Sequence, residues 1–337
     1  MDSIAFNFIV GKANSGTTLL MSMLNAHPSV QATPEVDFFV FFYHSWKNKT
    51  NFSENDHSSI KSYLKKFENR RKSNAFSWDE AIFKNLIEKS EVISFEIIYQ
   101  CFYRAFVYAH GKKEYTHCFD KNPYNTMVLE DIIKAFPSAK FVYVIRDPRA
   151  NYLSRKEKLK NKKANIYFDT QLWRIFNTTA LNVIKNNEHK FCVLKYEDLA
   201  ANPAGQLKRV SEFFDFSYDD RMLSFYSDIK ENNIKKIEEN ISIIREQAKE
   251  KYLKLSRPVN TDRVDAWRER LTEDEINIIS NICSVDAQFE YDIKSSKTSL
   301  NFIKYYKGLL LANKNILKNK LIYYLPLSVK LNLIKVI

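Results

Sequence analysis

The run Phe6–Val10, FNFIV, leads straight into GKANSGTT at residues 11–18 and then into a helical stretch, Thr17–Ala26. No other feature constrains the fold of this chain as tightly. A short apolar strand of this kind belongs in a sheet covered on both faces. In the stretch that follows, Leu19, Leu20, Met23 and Leu24 recur at the spacing of a helix with one buried face. His27-Pro28 ends it. In the order strand, glycine turn, helix, the backbone N–H groups of residues 15–18 point into the turn and form an anion site. Gly11, Gly16 and Thr18 match the phosphate-loop template G-x-x-x-x-G-K-[ST], but Thr17 occupies the lysine position. A loop without that lysine lacks the side chain that would hold the end of a nucleoside triphosphate.

Further strands are expected at Glu91–Ile98, Thr116–Asp120, Lys140–Ile145 and Phe191–Lys195. A helix ends at Phe136-Pro137, and residues 202–214 and 272–283 read as amphipathic helices. Strands alternating with helices predict a three-layer α/β/α fold of the P-loop type around a central parallel sheet. The expected organisation is a domain over 1–295 and a basic amphipathic helical tail over 296–337. Within the domain, 44–90 reads as a helical, cap-like insertion. Residues 228–255 carry isoleucines at 234, 237, 241 and 244, which suits a surface helix with one buried stripe or a mobile lid.

At 337 residues the chain can bury a large core. Its four cysteines, Cys101, Cys118, Cys192 and Cys283, are widely spaced and form no C-x-x-C, which argues against zinc and dithiol chemistry. They point to a reducing compartment, and a cytoplasmic location is expected. The N-terminus has no basic region ahead of its apolar run and reads as a strand rather than a signal peptide. No stretch reaches the roughly 18 uninterrupted apolar residues of a membrane span. The net charge of +12 is concentrated at the end: from Lys297 onward there are eight lysines and no acidic residue. No nucleic-acid recognition motif accompanies this charge.

A second anion motif lies at 141–158, FVYVIRDPRANYLSRKEK. Arg146 leaves a buried strand at its carboxyl end, where ligands of open α/β sheets bind. Ser154 follows eight residues later, on a helix beginning near Pro148. An arginine fork and a hydroxyl converging there suit a second phosphate. The structural alternative pairs Arg146 with Asp147 or Asp198. The basic run from Arg155 to Lys163 reads as a solvated face. Two phosphate sites on two strands suit a nucleotide with a 5′ group and a separate ribose phosphate, such as 3′-phosphoadenosine 5′-phosphosulfate (PAPS).

Together these pieces resemble the PAPS-dependent sulfotransferases, and most closely a bacterial, Golgi-like branch that is similar to the protein-tyrosine sulfotransferases. The matching segments are G-x-x-x-SGTTLL through AHPSV (11–30), Pro34-Glu35, DKNP (120–123), FVYVIRDPR through Ser154, KYEDLAANP (195–203) and RVDAWRERL (263–271). The resemblance implies that Ser15, Gly16, Thr17 and Thr18 cradle the 5′-phosphosulfate. It implies that Arg146 and Ser154 bind the 3′-phosphate, that Tyr196 lies near the nucleotide and that Arg263 closes over the 3′-phosphate. Glu35 falls at the position of the general base, with His27 as a rival. Lys121 would sit between the leaving oxygen and the sulfuryl group. No metal is implied.

One position departs from the family pattern. Asn14 stands where an arginine or lysine is usual, and the missing cation is worth on the order of 2.7–4 kcal/mol of transition-state stabilisation. Lys12 is the nearest substitute. The leading expectation is a sulfotransferase acting on a hydroxyl of a carbohydrate or glycolipid. The alternatives are a P-loop kinase, which Thr17 argues against, and a catalytically weak protein that binds the bisphosphate product. The tail suggests contact with a membrane surface, against the alternative of helices packed on the domain.

Overall fold

The computed structural model describes residues 4–33, 35–71, 76–108, 114–159, 164–227, 255–283, 291, 293 and 300–333. Its strands are β1 (Ala5–Val10), β2 (Val30–Thr33), β3 (Phe76–Trp78), β4 (Phe106–Tyr108), β5 (His117–Lys121), β6 (Phe141–Ile145) and β7 (Phe191–Lys195). Five of them form a parallel sheet in the order β2-β5-β1-β6-β7. The sheet is buried on both sides, which explains why its strands read as apolar runs. Along β1, Phe6, Phe8 and Val10 enter one core layer and Ile9 the other. Along β6, Phe141, Tyr143 and Ile145 alternate in the same way with Val142 and Val144.

One layer is built by Leu20, Met23 and Leu24 of α1 (Thr17–Ala26), with Leu207 and Val210 contributed by α10 (Pro203–Phe213). The opposite layer is unusually aromatic. Phe38 and Phe42 of α2 (Phe38–Trp46) meet Tyr99 and Phe102 of α5 (Phe95–Arg104), with Phe38 and Phe102 stacked at 4.1 Å. These layers realise the expected α/β/α architecture.

Two local expectations fail. Glu91–Ile98 is not a strand. Ser94 caps a helix there, its hydroxyl accepting from the Ile97 N–H at 3.2 Å, and Phe95, Ile98, Tyr99 and Phe102 form the buried stripe of α5. The remaining place in the sheet belongs to β2, only four residues long. The 44–90 insertion holds α3 (Glu54–Arg71) and α4 (Glu80–Glu88), but β3 lies between them and pairs antiparallel with β4. The stretch 228–254, which carries almost all of the expected surface helix or lid, lies outside the described residues.

The tail packs on the domain. Its helix Phe302–Tyr324 lies along α8 (Ile166–Lys185), and Gly308 marks the close approach: a Cβ there would sit 2.5 Å from the Tyr167 Cβ. The last described helix, Leu327–Leu333, buries Lys330, whose ammonium donates to the Val40 and Phe41 carbonyls at 3.0 and 3.1 Å. Burial lowers its pKa to about 8.

If the crossing at Gly308 holds the tail in place, Gly308→Val overpacks it and costs about 1–3 kcal/mol in denaturant unfolding. An unchanged unfolding midpoint would mean that the helix does not dock on α8.

Candidate active site

Parallel pairing brings all five carboxyl ends to one edge. The register sets Thr33 of β2 beside Asp120 of β5, Ile9 of β1 beside Lys121, Val10 beside Tyr143 of β6, and Ile145 beside Lys195 of β7. In spatial order that edge carries Glu35, Lys121, the loop 11–18, Arg146 and Tyr196. Each strand delivers one of the groups singled out in the sequence.

The loop needs its glycines for different reasons. Gly11 has φ 141°, and a Cβ there would lie 2.2 Å from the Val144 carbonyl oxygen of the neighbouring strand. Its N–H donates to the Thr126 hydroxyl at 2.9 Å. Gly16 has φ 98°, and its Cβ would lie 2.6 Å from the Tyr196 ring. Asn14 takes the left-handed conformation at φ 70°, which asparagine tolerates. No side chain caps α1 and no acid lies in its first turn. Its leading N–H groups are therefore available to an anion. Ser15 and Thr17 are buried, and Thr18 is half-buried.

Lys12 does not reach over the loop. It is buried, its ammonium donates to the Asn151 side-chain oxygen at 3.2 Å, and desolvation lowers its pKa to about 8. Asn151, on α7 (Pro148–Lys158), also donates to the Ala13 carbonyl and the Ser15 hydroxyl, both at 3.1 Å. Asn151 thus fixes the loop from below. Sequence reasoning passed over it, although its place five residues after Arg146, on the helix that also carries Ser154, was the available signal.

Arg146 is buried and pairs with neither Asp147 nor Asp198. It donates to the Asn14 carbonyl at 3.3 Å and to the Arg263 carbonyl at 2.7 Å. Its guanidinium lies 4.1 Å from the Tyr196 ring centroid, and its buried Nε has no hydrogen-bond partner among the described residues. Asp147 instead holds Arg149, at 2.6 Å. Asn14, Gly16, Arg146, Tyr196 and the backbone of Arg263 therefore meet at one point.

The side chain of Arg263 differs from expectation. It is ion-paired with Glu157 at 2.7 Å, and its carbonyl, not its guanidinium, meets Arg146. Ser154 lies on α7 three residues from Asn151, which touches the loop, and three from Glu157, which touches Arg263. That spacing sets the half-buried hydroxyl on the face between the two contacts.

On the other side of the loop, the Lys121 ammonium meets the Glu35 carboxylate at 2.5 Å; the lysine side chain is 1% exposed and the glutamate 27%. Asn122 holds the segment behind Glu35, donating to the Val36 carbonyl at 3.2 Å and the Asp37 carboxylate at 3.0 Å. His27 is a structural residue. One ring nitrogen meets the Ser217 carbonyl at 2.8 Å and the other accepts from the Ser29 N–H, so it does not compete as a base. An apolar cleft is lined by Val40, Phe41, Met127, Val128 and Phe176, and its wall also includes Asp37 and Tyr124, which lie two and three residues along the chain from Glu35 and Lys121.

Asp120, next to Lys121, is fully buried. One carboxyl oxygen accepts from Tyr99 at 2.6 Å and Asn125 at 2.7 Å, and burial pushes its pKa up to about 7.

A parallel sheet whose strand ends carry a glycine loop at a helix N-terminus and a second, buried arginine is an arrangement suited to a ligand with two anionic ends. The sequence profile of the Sulfotransferase family matches residues 7–220. The chain belongs to that family and is a PAPS-dependent sulfotransferase. Protein-tyrosine sulfotransferase A of Caenorhabditis elegans is 25% identical over 293 residues, 85% of this chain and 67% of the relative. A putative protein-tyrosine sulfotransferase of Caenorhabditis briggsae is 23% identical over 294 residues, 86% of this chain and 90% of the relative. Among solved structures, the sulfotransferase domain from the curacin biosynthetic pathway superposes with a TM-score of 0.55 at 19% identity, covering 86% of this chain and 99% of that domain. The sulfotransferase domain of the Synechococcus PCC 7002 olefin synthase gives 0.51 at 17% identity, covering 87% and 98%. These two likenesses concern the fold.

Asp120 gives the stability a defined pH dependence. Its folded pKa, about 7, lies above its unfolded value of 3.8. Between the two the folded chain keeps a proton that the unfolded chain releases, so this contribution is full at low pH and lost as pH rises through 7. Asp120→Asn cannot titrate. Between pH of about 4.5 and 7.5, the wild type is expected to lose stability relative to this variant in denaturant unfolding. Parallel pH profiles for the two would contradict the assignment.

Proposed function

We propose that this enzyme transfers the sulfuryl group of PAPS to an acceptor hydroxyl, with Glu35 as general base and Lys121 as the cation that follows the leaving group. The observation that carries this reading is the single edge on which the loop, the Arg146–Tyr196 pair and the Glu35–Lys121 pair lie side by side. In this reading the uncapped start of α1, with the Thr17 and Thr18 hydroxyls, receives the 5′-phosphosulfate. Arg146 and Ser154 receive the 3′-phosphate, and Arg263 joins them by exchanging Glu157 for it. Lys12, anchored through Asn151, supplies positive charge beneath the loop where Asn14 supplies none.

The ion pair accounts for the proton. As the acceptor oxygen attacks sulfur, its proton passes to Glu35, whose charge falls to zero. The S–O bond to the 5′-phosphate breaks, and negative charge grows on the departing oxygen. Lys121 is released by the first event and attracted by the second. The resting pair thus becomes a neutral acid and a cation bound to the leaving phosphate.

The sequence pointed to a carbohydrate or glycolipid acceptor. The protein-tyrosine sulfotransferases among the relatives, and an apolar cleft whose wall includes Asp37, two residues along the chain from Glu35, instead support a phenolic hydroxyl such as that of tyrosine. A phenol, with a pKa near 10, also asks less of a carboxylate base than a sugar hydroxyl does.

Labelled-sulfate transfer from PAPS to a tyrosine-containing peptide tests this directly, with an oligosaccharide as the competing acceptor. Glu35→Gln is expected to lower kcat by about 10²–10⁴ while the affinity for adenosine 3′,5′-bisphosphate stays unchanged. A variant with full kcat would remove Glu35 from its role, and faster transfer to the oligosaccharide would overturn the acceptor assignment.

A further inference from the structure

The tail helix Phe302–Tyr324 has two apolar faces, and the fold uses one of them. Gly308, Ala312, Ile316, Ile322 and Tyr323 face inward and are buried. Ile303, Tyr306, Leu310, Leu317, Leu321 and Tyr324 face outward, each between 58% and 81% exposed. Their spacings of three, four, seven, four and three residues form one continuous line on a helix, roughly 30 Å long. Single exposed apolar side chains are ordinary on a protein surface, whereas an unbroken row marks an interaction site. The flanks of the row are basic. Lys307, Lys314 and Lys318, all exposed, run along one side, and exposed Lys320 lies on the other. No acidic side chain occurs from Lys297 to the C-terminus.

We propose that this outer face rests in the interface of an anionic lipid bilayer, with the apolar row among the upper acyl chains and the lysines at the headgroups. Charge decides between lipid and a second copy of the chain. Two such helices packed row to row would bring lysine flanks together with no acid on the helix to offset them, whereas anionic headgroups neutralise those same flanks. The helix lies on the bilayer rather than through it, because no described helix is long and apolar enough to cross a membrane. Lysine stems beside such a row can lie along the apolar surface while their ammonium groups stay at the headgroups. The same helix supplies Ile316, Lys320 and Tyr323 to the wall of the cleft that Asp37 and Tyr124 also line. Docking in this way places that cleft beside the lipid.

Co-sedimentation of the full chain with vesicles tests the proposal. One set is phosphatidylcholine alone and the other contains roughly one third phosphatidylglycerol. The wild type is expected to sediment with the anionic vesicles at least about tenfold better, and less well as salt is raised. The double variant Leu310→Gln/Leu317→Gln changes only exposed positions. It is expected to keep the circular dichroism and unfolding midpoint of the wild type while losing about tenfold or more of its vesicle binding. The proposal is overturned if the wild type stays in the supernatant with both vesicle types, or if the variant binds as well as the wild type. It is equally overturned if light scattering shows a dimer that the variant dissociates while vesicle binding is unaltered.

Discussion

The site depends on one constraint, the parallel register of five strands that ends them all at the same edge. Because β5 lies between β2 and β1, its last residue, Lys121, is set between Glu35 and the glycine loop. Because β6 lies on the other side of β1, Arg146 reaches the loop at Asn14. The glycines make this closeness possible: side chains at Gly11 or Gly16 would collide with the strand end of β6 or with Tyr196. A change of one residue in register would turn the buried side chains to the opposite face and dissolve the arrangement.

Two cations of different kinds face the loop. Arg146 is fixed: buried, stacked on Tyr196 and hydrogen-bonded to two carbonyls, it ties the loop to the segment at Arg263. Its hydrogen bonds among the described residues go to neutral acceptors, and burial lowers its pKa, so a bound anion would relieve a desolvated charge. Lys121 is paired with a carboxylate that is itself partly open to solvent, so its partner can change during a reaction. This difference, a rigid anchor on one side and an exchangeable ion pair on the other, suits a site that holds one end of a nucleotide while chemistry proceeds at the other.

Much of this was legible in the sequence, because buried parallel strands are continuous apolar runs and glycine loops have few uses. β1, β5, β6 and β7 were readable on that ground. β2 was not: Val30–Thr33 is short and lies directly behind a helix-ending His-Pro, so no run stands out. Residues 91–98 were misread because isoleucine and phenylalanine serve strands and buried helices alike, and the arbiter was Ser94, a helix cap. At that edge the sequence singled out the residue types that carry charge, while the neutral residues beside them, Asn151, Asn122 and Thr126, were passed over; an asparagine that makes three long-range hydrogen bonds looks in sequence like any other. Arg263 shows the reverse error, since a conspicuous side chain drew attention to a position whose backbone carbonyl makes the contact with Arg146. The tail was read as either packed on the domain or turned toward a membrane, and its helix carries a separate face suited to each.

A crystal structure with adenosine 3′,5′-bisphosphate tests the central claim most directly. The account predicts the 5′-phosphate on the backbone N–H groups of residues 15–18 and the 3′-phosphate within hydrogen-bond reach of the Arg146 guanidinium, with Lys121 turned from Glu35 toward the 5′ end. A nucleotide bound elsewhere, or one that touches the loop while its 3′-phosphate points away from Arg146, would contradict it.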